Sequence, residues 1–350
     1  MTSSKVTRRS LLKRHHYWLV ILIVVVGVAF ILLPQSTQHK ERPLSSEDRI
    51  NIRIGLAMQP TSALAIIAAQ QGYFEEENIE VVVSEFPSGK RALRDGFFQD
   101  RVDVAVSADV PITMAALEKR SFRIIAATFN AGNVNRVIAR ADLGIQTPAD
   151  LVGKRVATQR ASAVHYFLEL FMGEHALPRE QVSLSYMKAE KLPQALAEGR
   201  IDAFSMREPY ISQAKALLGD KAVVFSVPGL YRQIDMVLIT EKMLAANPGV
   251  AARLLRALNK AEQFVRQQPD DAVAMVAQRL GVEKDKIYAL WPTLKLRVSL
   301  EQFHLLLLES EARWALRNGL TQATEMPDFM EYIDFTGLQE VNPEAITIFR

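Results

Sequence analysis

Asp109 and Glu208 close two similar phrases, "RVDVAVSADVP" (Arg101–Pro111) and "RIDAFSMREP" (Arg200–Pro209), each acid lying six residues after an Asp, Asp103 or Asp202. A carboxylate just past a strand can accept hydrogen bonds from a ligand's amine or hydroxyl, or it can cap the helix that follows. Small polar residues stand at the other expected strand-to-helix junctions: Gln59 and Thr61, Ser88 with Gly89, Ser107, and Ser162. Such a set is suited to holding a small molecule by hydrogen bonds. It offers no covalent chemistry. The chain has no Cys, and no G-x-S-x-G, H-E-x-x-H, Walker or G-x-G-x-x-G string occurs. His15, His16 and His39 flank the N-terminal apolar run, and His165, His175 and His304 have no metal-ligand spacing. His165 follows Ser162 within one turn and is open to a cleft contact or to a capping or packing role. The expectation is a binding site with no catalytic residue, metal or cofactor.

The elements that would position these residues alternate from Ile50 onward. "INIRIGLAM", "IEVVVSEF", "VDVAVSA" and "FRIIAATF" read as strands, with helices "TSALAIIAAQQGYF", "SGKRALRDGFFQ" and "ITMAALEKR" between them. The series restarts with strands "GKRVATQR", "VSLSYM", "IDAFSM" and "AVVFSV", separated by "SAVHYFLELFMGEHAL", "KLPQALAEG" and "ISQAKALL". After "MVLITEKML" the chain turns mostly to amphipathic helix from about Pro248, and Trp291, Trp314 and Tyr332 read as core residues there. The upstream stretches "NIEVVVSEFPSGKRALRDGFFQDRVDVAVSAD" and "QVSLSYMKAEKLPQALAEGRIDAFSMRE" share strand, polar turn, short helix, Gly, basic residue and strand. The chain therefore reads as two α/β lobes of one construction, with Asp103 and Asp202 as structural residues at the starts of equivalent strands. Ligands of open parallel sheets bind beyond the C-terminal strand ends, where helix N-termini present free N–H groups. The repeated ends, drawn from both lobes, predict a shared cleft.

Charge and hydropathy divide the chain at its start. Lys5, Arg8, Arg9, Lys13 and Arg14 precede an uncharged run, "YWLVILIVVVGVAFILL" (Tyr17–Leu33). That run is about the shortest that spans a bilayer core, and its basic N-terminal flank predicts a cytoplasmic N-terminus with the remainder exported. No convincing cleavage site follows it, so an uncleaved signal anchor is expected, with 1–16 as a cytoplasmic basic segment and 34–49 as a tether; the alternative is a cleaved signal that releases the domain into the periplasm. "TRRSLLK" (Thr7–Lys13) leaves both the general and the twin-arginine export routes open. Without residues 1–35 the charged side chains number 37 basic against 39 acidic, so the exported part is near neutral and gives no case for nucleic-acid binding.

Six stretches resemble the periplasmic solute-binding proteins of ABC importers for nitrate, sulfonate, taurine and thiamine precursors: "QPTSALAIIAAQQGYFEEENIEV", "FPSGKRAL", "VDVAVSADVP", "ADLVGKRVATQRASAVHYFLE", "LAEGRIDAFSMREPY" and "NPGVAARLLRALNKAEQFVRQQPDDA". The resemblance covers about residues 50–340. It implies a two-lobed type II periplasmic-binding-protein fold, each lobe a mostly parallel sheet flanked by helices, behind the N-terminal transmembrane helix. Lobe one would comprise 50–132 and 236–350, and lobe two 133–235. Carried over by position, ligand contacts would come from Gln59, Thr61, Ser88, Ser107 and Asp109 of lobe one and from Ser162 and Glu208 of lobe two, with Asn130 and Asp235 near the crossovers. Relatives often have W-D-P or W-E-P where this chain reads Met206-Arg207-Glu208-Pro209, so an aromatic wall is missing. The resemblance implies a periplasmic receptor that delivers a small polar organic molecule to an ABC permease and ATPase. Many relatives are free in the periplasm or lipid-tethered, so the apolar run 17–33, which would hold this one in the bacterial inner membrane with its binding domain in the periplasm, is a departure from them. A membrane-anchored ligand sensor for a signalling partner is the alternative. A thiamine-pyrimidine synthase of this fold would carry a cysteine-rich iron motif, which a chain without Cys does not have.

Overall fold

The computed structural model describes residues 49–349, and the basic segment, the apolar run 17–33 and nearly all of the tether lie outside them. Two sheets organise the rest. In the first, the order is β2 (Ile79–Phe86), β1 (Ile50–Ala57), β3 (Val104–Ala108), β10 (Gln233–Ile239), β4 (Arg123–Ala131), β11 (Lys295–Ser299). In the second it is β7 (Ser183–Tyr186), β6 (Arg155–Thr158), β8 (Ala203–Met206), β5 (Arg136–Arg140), β9 (Ala222–Phe225). Among the described residues no helix is long and apolar enough to cross a membrane.

The two orders are the same pattern written twice. β1 pairs in parallel with β2 and β3, and β6 pairs in parallel with β7 and β8. The fourth place in each sheet goes to the strand that has just crossed from the other: β10 between β3 and β4, and β5 between β8 and β9. Both are antiparallel to their two neighbours. The sheets are therefore mixed rather than mostly parallel by pairing. A crossing strand enters from the edge where ligand-binding sheets end and must run back into its sheet. β5 and β11 also escape the sequence reading, being short strands with no turn signal of the kind that marks a βαβ unit.

The Asp residues of the repeated phrases fix the opposite edge. Asp103 accepts from Arg53 N, Nε and Nη2 at 3.0, 2.9 and 2.7 Å. Asp202 accepts from the same three atoms of Arg155 at 2.8, 3.1 and 2.6 Å. One carboxylate fork per sheet thus ties the first strand of the unit to the third. The arginine beside each carboxylate holds it below its ordinary pKa.

Period-two alternation sorts the core. Val137 and Ala139 of β5 face the main core while Ile138 faces a second cluster with Phe204, Met206, Leu192 and Ile211. β3 is buried along its whole length, as a central strand covered on both faces should be. Helix α1 (Ala63–Gln70), helix α2 (Asp109–Leu117) and the amphipathic helix α5 (Val250–Gln267) cover the first sheet, and α3 (Ala163–Glu174) and α4 (Tyr210–Leu218) belong to the second. Helix α6 (Pro269–Leu280) and helix α7 (Gln302–Arg317) complete the helical C-terminal part. Trp314 of α7 is buried against Tyr166 and His165 of α3, each ring centroid 5.1 Å away. Trp291 and Tyr332 are half-buried and pack on the main core. The crossing segments 132–135 and 226–232 run side by side, joined by Gly229 N donating to Gly132 O at 2.8 Å.

Candidate functional site

The chain ends that the repeat brings together meet on one buried arginine. Arg207 directly follows β8, and its Nε donates to Gln59 Oε1 at 3.1 Å, just past the end of β1. Its Nη1 donates to Gln233 Oε1 at 3.0 Å. Gln233 also accepts from Asn135 Nδ2 at 3.1 Å and donates through Nε2 to Asp235 Oδ1 at 2.8 Å. β10 runs antiparallel to β3 and β4, so its first residues lie at the edge where those strands end, which is why Gln233 and Asp235 join residues of the βα turns. Gln59, Gln233 and Asp235 are 0–1 % exposed and Arg207 is 7 % exposed. Burial raises the Asp235 carboxyl pKa, and the nearby guanidinium pulls it back towards ionisation. Thr61 Oγ1 is buried beside this carboxyl without a hydrogen bond of good geometry, and Ser62 Oγ is likewise unpartnered.

Two spaces that share Pro60, Glu208 and Leu290 in their walls lie beside this cluster. A chamber of about 20 Å³, room for about one water, is lined by Gln59, Thr61, Val134, Arg207 and Glu208 among others. Beyond Glu208 lies a groove of about 240 Å³, walled by Met58, Pro60, Leu280 and Ile287 on one side and by Pro209 and Ala216 on the other. A guanidinium offers planar, permanently charged donors that match an anionic or carbonyl-bearing head group. Glu208, half-exposed between chamber and groove, offers an acceptor. The groove suits a short apolar body.

The expected residues do not all converge there. Gln59, Thr61, Glu208 and Asp235 belong to the cluster or its walls. Asp109 and Glu208 are not brought together: Asp109 is fully buried and lines neither space that Glu208 faces. Its Oδ1 accepts from Val110 N at 2.8 Å and from the Tyr231 hydroxyl, and its Oδ2 from Ile234 N at 2.9 Å. Glu208 Oε2 accepts from Ser212 N at 3.1 Å. The equivalent acids thus share a helix-end hydrogen bond, and only Glu208 keeps an open face. Ser88 Oγ caps the one-turn helix Gly89–Arg91 by accepting from Arg91 N at 3.3 Å. The hydroxyl of Ser162 bonds Gln159 O at 2.5 Å, and that of Ser107 bonds Ala108 O at 3.4 Å. Asn130 Oδ1 accepts from Arg232 Nε at 3.2 Å. The three serines serve their own turns and strand ends, and Asn130 ties the end of β4 to the crossing segment 226–232 in this conformation.

Sequence reasoning missed Arg207 and Gln233, although Arg207 stands where the aromatic was sought. A charged side chain in the apolar stretch "DAFSMREP" was the available signal. It also missed Glu311 on α7, which is fully buried against Asp109. Glu311 Oε2 accepts from Thr113 Oγ1 at 2.9 Å and Oε1 accepts from the Tyr231 hydroxyl at 3.3 Å. Burial and the adjacent Asp109 raise Glu311 well above the ordinary carboxyl range, and burial raises Asp109 to about 7.

The family described as "NMT1/THI5 like" matches residues 59–272. A protein of Bacillus subtilis (strain 168) named as an aliphatic sulfonates-binding protein is 26 % identical over 237 residues, covering 67 % of this chain and 70 % of that protein. Among solved structures, the alkanesulfonate-binding protein SsuA of Xanthomonas axonopodis pv. citri, bound to MOPS, superimposes with a TM-score of 0.70 at 18 % identity, over 82 % of this chain and 99 % of that one. The periplasmic nitrate-binding protein NrtA of Synechocystis PCC 6803 does so with a TM-score of 0.67 at 14 % identity, over 85 % and 89 %. These superpositions establish the α/β periplasmic-binding-protein fold.

Proposed function

The chain belongs to the NMT1/THI5-like family, and from that premise we propose that it is an extracytoplasmic receptor that captures a small polar organic molecule between its two lobes and hands it to an ABC-type importer. The observation that carries this reading is the buried Arg207 guanidinium, contributed by one sheet and held by Gln59 and Gln233 of the other, at the head of a groove walled by both. In this reading a polar head group displaces Gln59 or Gln233 from Arg207, hydrogen-bonds to Thr61 and Glu208, and lays a short apolar body along Pro60, Pro209 and Ile287. The named binding functions of the sulfonate and nitrate relatives support a small solute of this size. Those relatives likewise support export of the binding domain. Tyr17–Leu33 would tether it to the inner membrane, holding the receptor near its permease at raised effective concentration.

A thermal-shift screen of the full chain against alkanesulfonates, nitrate, pyrimidines and amines tests the reading. A true ligand at a hundred times its Kd stabilises by about 2.7 kcal/mol. Arg207→Met should abolish that shift. A ligand whose shift survives Arg207→Met and whose binding leaves the solution-scattering radius of gyration unchanged would place binding outside this cleft.

A further inference from the structure

Another cavity, of about 280 Å³, shares no lining residue with the Arg207 chamber. Five basic side chains and one carboxylate, Glu190, line it. Lys90, Arg91 and Arg94 follow β2 of the first sheet, whereas Arg160 and Lys188 follow β6 and β7 of the second, so cations from both halves of the fold face one concavity. Arg91 and Arg94 share Asp95. Among the described residues Arg160 and Lys188 form no ion pair, and Arg160 lies 5.8 Å from the Tyr186 ring. The Lys90 ammonium has backbone carbonyls for acceptors: Ala161 O at 3.0 Å and Arg160 O. Burial, then Arg94 and Arg160, lower its pKa to about 8 against the opposing pull of Glu118.

A solvated basic face would spread such charges over a convex surface. Here the wall is built instead. Ala161 holds a positive φ of 49°, a conformation that non-glycine residues adopt only when their surroundings impose it. The surroundings are visible: Ala161 N donates to His165 Nδ1 at 3.2 Å, and His165 Nε2 meets the Tyr186 hydroxyl at 3.3 Å. One buried histidine thus positions both the 160–161 turn and Tyr186.

We propose that this cavity is a binding site for a compact tetrahedral oxyanion of the phosphate or sulfate class, held by Lys90 and Arg94 on one side and by Arg160 and Lys188 on the other. A divalent anion neutralises Arg160 and Lys188, which form no ion pair among the described residues, and cross-links the two halves through a space that shares no lining residue with the Arg207 chamber.

Isothermal titration of the full chain with inorganic phosphate and with sulfate, at pH 7 and at ionic strength held constant with sodium chloride, tests this without any knowledge of the solute. Both anions should bind saturably at one site. Arg160→Ala and Lys188→Ala, at exposed positions, should each weaken binding by about tenfold or more, the worth of one charge-assisted hydrogen bond. Binding should also weaken as pH rises through the Lys90 titration. The absence of saturable heat, or affinities unchanged in both variants, overturns the proposal. So does phosphate binding that is lost in Arg207→Met but kept in Arg160→Ala, which would put the anion in the solute cleft.

Discussion

The buried acids Asp109 and Glu311 place unequal demands on two isosteric substitutions. Adjacent carboxyls in a dry site cannot both ionise near neutrality, so one keeps a proton. Asp109 accepts from Val110 N, Ile234 N and the Tyr231 hydroxyl, three donors that favour its charged form. Glu311 accepts from Thr113 and at longer range from Tyr231, so the proton resides on Glu311, directed at Asp109. Glu311→Gln then replaces one neutral donor-acceptor group by another, and should cost within about 1 kcal/mol, the net worth of a single neutral hydrogen bond. Asp109→Asn turns an accepting oxygen into a donor facing Ile234 N–H or the Tyr231 hydroxyl. Leaving that buried donor without an acceptor costs about 1–3 kcal/mol, so the loss should exceed that of Glu311→Gln. Urea unfolding of the full chain at pH 8, where Asp109 is charged, measures both. Equal losses, or a larger one for Glu311→Gln, would refute this assignment of the proton. The pH dependence has a definite sign. Asp109 has its pKa raised from 3.8 to about 7, so its contribution is fully present below about 3.8 and is lost as pH rises through about 7. Asp109→Asn should remove that decline.

Four further substitutions probe other parts of the fold. A Cβ at Gly89 would lie 2.8 Å from Ser107 Cα and 3.1 Å from Ala108 N, so Gly89→Ala should destabilise by about 1–3 kcal/mol through overpacking, and an unchanged melting temperature would contradict the close approach of this turn to β3. Burial lowers the His304 pKa from 6.5 to about 3, with Nδ1 accepting from Glu301 N at 3.1 Å; its contribution is present above 6.5 and lost as pH falls towards 3, the reverse of Asp109, so the difference in unfolding free energy between His304→Gln and the parent should shrink on acidification across that window. Asp103→Asn and Asp202→Asn break equivalent forks, so their costs should match within about 0.5 kcal/mol and add in the double variant; a strongly unequal pair would mean that the repeat is geometric without being energetic.

What the sequence disclosed was the part written locally. The two phrases with Asp103 and Asp202 announced equivalent strands, and the structure gives those aspartates matching arginine forks on neighbouring parallel strands. The same reasoning took Asp109 and Glu208 as facing partners, because both follow a strand by the same interval. Their difference is set by residues far away: Tyr231 and Glu311 close over Asp109, while nothing comparable covers Glu208. Arg207 and Gln233 were invisible as a pair for the same reason, since β10 reaches the cleft edge only by inserting antiparallel between β3 and β4. Long-range insertion leaves no periodicity in a local window. The basic cavity needed still more, for its cations come from three separate turns.

The traded strands have a consequence for the order in which the chain can become a protein. The first sheet lacks its fourth strand until residues 233–239 have been made, although β1–β4 end at Ala131. During synthesis β3 and β4 therefore wait with unpaired edges while about a hundred further residues emerge, and those edges are the kind that recruit other strands. β5, in turn, precedes both of its partners. The second sheet has all five of its strands once Phe225 is made, whereas the first cannot close before Ile239, so a truncation between Phe225 and Gln233 should leave the first half unfolded, and a chaperone would find its longest-lived target there.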